Sequence, residues 1–113
     1  MAKQTGLIST GRGTPVQFTL IRRISFHSPA AGLVTKIVAK NIESNIPPQV
    51  GYEYEDSAWH RNDHPKVESV VINTDSGICV VELSPMITEQ AEYVERAFQI
   101  VLKHPGWRDW LRN

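Results

Sequence analysis

The chain has 113 residues, 41% of them apolar and 21% charged, with twelve Lys or Arg against twelve Asp or Glu and a single cysteine. That length and balance give one domain with a core of its own, and exclude a disulfide framework, a membrane span and a low-complexity chain. The zero net charge hides a segregation. Residues 1–42 carry Lys3, Arg12, Arg22, Arg23, Lys36 and Lys40 and no acid, whereas residues 43–113 carry the other six cations and all twelve acids. A basic stretch followed by an acidic one points to an anionic partner or to self-complementarity.

Residues 1–14 are rich in Gly, Ser and Thr and show no sustained period, which reads as a flexible arm, or at most a short edge strand at Leu7-Ile8. Residues 15–27 alternate. Val16, Phe18, Leu20, Ile24 and Phe26 fall on one face, and Gln17, Thr19, Arg23, Ser25 and His27 on the other, so a long strand is expected. Arg22 interrupts the apolar face. It calls for an acid such as Glu82 or Glu68, or for a β-bulge or snorkelling side chain that takes it outward.

Ser28-Pro29 has the chemistry of a helix start. The apolar positions beyond it, Leu33, Val34, Ile37, Val38 and Ile42, repeat at three and four, predicting a helix that stops before Pro47-Pro48. The β-branched content keeps a strand over 33–40 as the alternative. Tyr52 to Glu55 alternates as a short strand, and a polar loop follows to Pro65. Val67–Asn73 and Ile78–Leu83, separated by Thr74-Asp75-Ser76-Gly77, read as a β-hairpin at the centre of the sheet. Ser84-Pro85 opens a second predicted helix, with Ile87, Ala91, Val94, Ala97, Phe98, Val101 and Leu102 as its buried stripe and His104-Pro105-Gly106 as its stop. Residues 107–113 form a short tail whose Trp107, Trp110 and Leu111 are placed to dock as one helical turn.

The expected fold is α+β in the order β-α-β-β-β-α: a mostly antiparallel sheet of three or four strands with two helices on one face. Residues 15–106 form the single domain, between the arm and the tail.

Three clusters are candidate sites. Arg12, Arg22, Arg23, His27, Ser28, Lys36 and Lys40 could make one positive surface for phosphates, with the turn at Ser28 presenting free N–H groups. The plainer account pairs these cations with the acids of residues 43–113. His60, Asp63 and His64 have a spacing that suits a metal or a His–Asp base, although Asn62-Asp63 and Pro65 argue against the helix such a set needs. In the tail, Trp107, Arg108 and Trp110 interleave aromatics with a cation, as in base stacking or a protein hot spot, or they simply cover the core edge.

Gly6, Gly11, Arg12 and Gly13 resemble half a P-loop, but the Lys and the following Ser/Thr are missing. Cys79, within an apolar run, fills core. The functional expectation is therefore a small binding protein without enzymatic activity or cofactor, in the cytoplasm. Its partner is nucleic acid first and an acidic protein surface second. A protein–protein adaptor or inhibitor, including a homo-oligomer, is the alternative, and a small enzyme or metal protein at the His60–His64 loop is the third.

Overall fold

The computed structural model describes residues 15–112. It contains six strands and one helix: β1 (Val16–Ser28), β2 (Gly32–Ser44), β3 (Val67–Ile72), β4 (Cys79–Leu83), β5 (Met86–Ile87), α1 (Ala91–Leu102) and β6 (Trp107–Asp109). The strands make one mixed sheet in the order β3-β4-β1-β2-β6, with β5 pairing with β1 beyond the end of β4. This replaces the expected two-helix arrangement on three or four strands. The arm expected over residues 1–14 lies outside the described residues.

The largest correction is at residues 32–44, where the expected helix is a strand. β1 and β2 form a thirteen-residue antiparallel hairpin in continuous register from Val16↔Ser44 to Ser28↔Gly32. Pro29, Ala30 and Ala31 make its three-residue loop, and Gly32 closes it at φ 70°, the left-handed conformation such loops require. Ser28 Oγ accepts the Ala31 N–H at 3.0 Å, so its capping chemistry serves a hairpin turn. The spacing misled for a geometric reason. Val34, Val38 and Ile42 repeat every four residues, and four is a multiple of two. They therefore share one face of a strand as readily as one face of a helix.

That face is the covered one. Phe18, Leu20, Arg22, Ile24 and Phe26 of β1 stand opposite Ile42, Lys40, Val38, Lys36 and Val34 of β2. Val94, Phe98 and Val101 of α1 are buried against them at helical spacing, together with Trp59 of the 53–65 loop and Trp107 of β6. Of the 53–65 segment only Glu53 forms a bridge, to Lys66, so the short strand expected at 52–55 reduces to that bridge. No helix among the described residues is long and apolar enough to cross a membrane.

The second Ser-Pro also fails to start a helix. Ser84 is held in extended structure: its N–H donates to Lys66 O, its Oγ accepts the Lys66 N–H, and its carbonyl accepts from Arg22 Nε. The chain then continues as β5 along β1, and α1 begins only at Ala91. The hairpin of β3 and β4 forms as read, but it lies to one side, with β3 at the edge and β1 at the centre.

The C-terminal segment is a strand where a helical turn was expected. β6 pairs antiparallel with β2 through Val38↔Asp109, Ala39↔Arg108 and Lys40↔Trp107. Gly106, at φ 87°, makes the turn into it, and a Cβ there would stand 3.3 Å from Lys40 Cε. Gly106→Ala is expected to cost about 1–2 kcal/mol from the left-handed backbone alone. Crowding of a lysine stem already tethered to Asp56 adds to that. Thermal denaturation of the variant measures the loss.

Candidate functional site

The basic half of the chain is neutralised by the acidic half. Four of its cations fall within the described residues, and each is paired with a carboxylate from residues 56–95: Arg22 with Asp63, Arg23 with Glu82, Lys36 with Glu95 and Lys40 with Asp56. Lys3 and Arg12 lie outside the described residues. His27 is exposed near the hairpin tip, beside Ser28, whose hydroxyl closes its own turn. The hairpin register puts Arg22, Lys36 and Lys40 on the covered face, and Arg23 and His27 on the opposite one. Among the described residues, these side chains do not share one face of the sheet.

Two of the pairs clamp the 53–65 loop to the sheet. Arg22 is 3% exposed and keeps the inward direction that alternation gives it. The register with β2 is unbroken there, so neither a bulge nor snorkelling takes it out. Its partner is Asp63, and not Glu82 or Glu68. Nη1 and Nη2 donate to the two carboxylate oxygens at 2.8 and 3.0 Å, Nε donates to Ser84 O at 2.9 Å, and the guanidinium lies 4.8 Å from the Trp59 ring centre. A bidentate carboxylate with a further bond from Nε is the geometry that makes a buried arginine tolerable.

The second clamp is built on Asp56, whose side chain is only 9% exposed. Its carboxylate accepts from Lys40 Nζ at 2.7 Å, from Trp107 Nε1 at 3.0 Å and from the Ala58 N–H at 2.9 Å. Trp107 packs edge-on to Trp59, with ring centres 5.0 Å apart. Trp107, read as a possible interface residue, is thus buried in its own domain.

The His60–His64 loop does not converge. Asp63 is engaged by Arg22, His60 Nδ1 accepts the Asn62 N–H, and His64 stands between Glu53 and Glu55 at 3.5 and 3.6 Å. Among the described residues no three His, Cys, Asp or Glu side chains are grouped as metal ligands.

Among the described residues, two features combine unmet bonding capacity with accessible surface, while Trp59 Nε1, enclosed in the core, also has no hydrogen-bond partner. The first is the outer edge of β3. Segment 51–54 pairs with Pro65 and Val67 and covers the start of this edge, leaving Ser69–Ile72 open among the described residues. Asn73 donates to Ile78 O. By antiparallel alternation, the N–H and C=O of Val70 and Ile72 therefore point away from β4. Val71 and Ile72 are 60% and 63% exposed, and Ile78 on the other side of the turn is 54% exposed.

The second is a cavity of about 630 Å³ at the end of the sheet, whose lining includes Thr19, Asn41, Glu43, Ile78, Arg108 and Trp110. Asn41 Oδ1 accepts from Thr19 Oγ1 at 3.0 Å and from Arg108 Nη2 at 3.1 Å. Arg108 also lies over the Trp110 ring at 5.6 Å. Arg108 Nη1 is enclosed and has no hydrogen-bond partner among the described residues. Thr19 and Asn41 escaped the sequence reading because their pairing across β1 and β2 exists only once residues 32–44 form a strand.

Comparison with protein-family models, with curated proteins and with solved structures finds no match for this chain. The functional reading therefore rests on the geometry.

Proposed function

We propose that this chain is a protein-interaction module that self-associates through the outer edge of β3. The observation that carries this reading is an open, uncharged edge flanked by exposed aliphatic side chains. Natural sheet edges are usually guarded by charge, proline, a bulge or a covering segment. Here a register shift between Val67 and Ser69 and the 51–54 segment guard only the beginning of β3. From Ser69 to Thr74 no charged residue or proline follows.

A second copy fits this edge for two reasons. Antiparallel pairing about a two-fold axis at Val71 sets Val70 opposite Ile72 of the other copy, matching the two sets of outward N–H and C=O groups. It also sets no like charges directly opposite one another, since Glu68 then faces Thr74. The contact is short, which places it among the weak interfaces below about 1,200 Å². Support for the phosphate-binding surface is correspondingly reduced, because its described cations are each paired with an acid.

Sedimentation velocity over a concentration series tests the reading. The wild-type chain is expected to show a reversible monomer–dimer equilibrium, and Val71→Lys, at an exposed position, a folded monomer. A wild-type chain that stays monomeric throughout overturns the proposal, as does a Val71→Lys variant that dimerises equally well. In a parallel oligonucleotide titration at low salt, a steep loss of affinity with added salt would return the function to a nucleic-acid partner.

A further inference from the structure

We propose that the cavity beside Arg108 is a binding site for a small monocarboxylate with an apolar tail. Arg108 is the one cation in its lining among the described residues and lies within hydrogen-bond reach of a neutral wall. Unlike Arg22, Arg23, Lys36 and Lys40, it forms no ion pair with an acid among the described residues. A guanidinium whose Nη1 is enclosed without an acceptor carries an unmet desolvation cost, and an oxyanion relieves it. Because Nη1 is enclosed, uptake entails a turn of the guanidinium at the end of its side chain. That turn presents its N–H groups to the cavity.

The lining selects the ligand class. Among the described residues one cation lines the cavity and Glu43 shares it, so a singly charged head is favoured over a phosphate dianion. The amide groups of Gln17 and Asn41 add neutral donors beside the head. Ile78 and the Trp110 ring, on the same face of the sheet as Arg108, provide apolar contact for a tail, and the volume is in the range of small-molecule sites. This site adjoins the β3 edge through Ile78, but its charged group is Arg108 of β6, so it does not depend on self-association.

The test is titration of the ¹⁵N-labelled chain with hexanoate, acetate and inorganic phosphate at constant ionic strength. Hexanoate is expected to shift the Asn41, Ile78, Arg108 and Trp110 amides saturably and to bind more tightly than acetate. Arg108→Gln is expected to lower hexanoate affinity about tenfold, the loss of one charge-assisted hydrogen bond. Ile78→Thr, at an exposed position, should bring hexanoate down towards acetate while leaving the fold intact. Absence of saturable shifts with hexanoate overturns the proposal. Phosphate binding as tightly as hexanoate, or undiminished affinity in Arg108→Gln, does the same.

Discussion

Asp63→Ala is expected to destabilise the protein by about 3 kcal/mol, while the double variant Arg22→Met, Asp63→Ala recovers most of that loss. The asymmetry follows from where the two charges sit. Arg22 is 3% exposed, whereas the Asp63 side chain is 33% exposed, so removing the acid strands a buried guanidinium. Breaking one half of a buried pair typically costs about 3–5 kcal/mol, and water at Asp63 brings this case to the lower end. Methionine retains much of the arginine stem's packing against Trp59 with no charge left to satisfy. Urea unfolding of the wild type, the single variant and the double variant gives the three values. If the double variant is no more stable than Asp63→Ala, the buried charge is not the source of the loss.

The second large effect lies at Asp56. Burial pushes its carboxyl up, but the hydrogen bonds from Lys40, Trp107 and the Ala58 N–H, together with the Lys40 charge, hold it below the ordinary 3.8. A folded-state pKa below the unfolded one means that the unfolded chain binds more protons between the two values. Asp56 therefore contributes stability above the ordinary carboxylate range, and the contribution is lost as pH falls through the folded-state value. Asp56→Ala is expected to cost about 3 kcal/mol near pH 7, because it leaves Lys40 Nζ and the buried Trp107 N–H without their acceptor. Asp56→Asn keeps a neutral acceptor but loses the charge, so its deficit should shrink as pH is lowered below about 3.8, the unfolded reference value. A deficit that stays constant from pH 7 to pH 2 would show that ionisation of Asp56 is not involved.

These two clamps explain which parts of the molecule were legible in the sequence. The alternation of residues 15–27 and the turn chemistry at Thr74–Gly77 are local signals, and both strands and hairpin form as they indicate. The inward direction of Arg22 was also readable from alternation. Its partner was not, because Asp63 lies 41 residues away in a loop without periodicity. Ser28-Pro29 and Ser84-Pro85 have the same capping chemistry, yet one closes a hairpin and the other is held extended by Arg22 and Lys66. Tertiary pairing overrode local propensity at both.

The charge split illustrates the same limit. Six cations before residue 43 and twelve acids from residue 43 onward are a fact of the sequence. Folding lays the loop and helix carrying those acids over the β1–β2 hairpin, and β4 beside it, so the split becomes a set of cross-chain pairs. The two accessible features with unmet bonding capacity, the β3 edge and the Arg108 cavity, depend on strand order and register. Neither is encoded in a motif.

The most direct measurement is amide hydrogen exchange across β3 at low and at high protein concentration. Self-association through this edge predicts that the Val70 and Ile72 amides, directed away from β4, gain protection as concentration rises, while the already bonded Val71 amide changes little. Unchanged exchange at Val70 and Ile72 while the protein dimerises would place the interface elsewhere. Unchanged exchange in a protein that stays monomeric would contradict self-association itself.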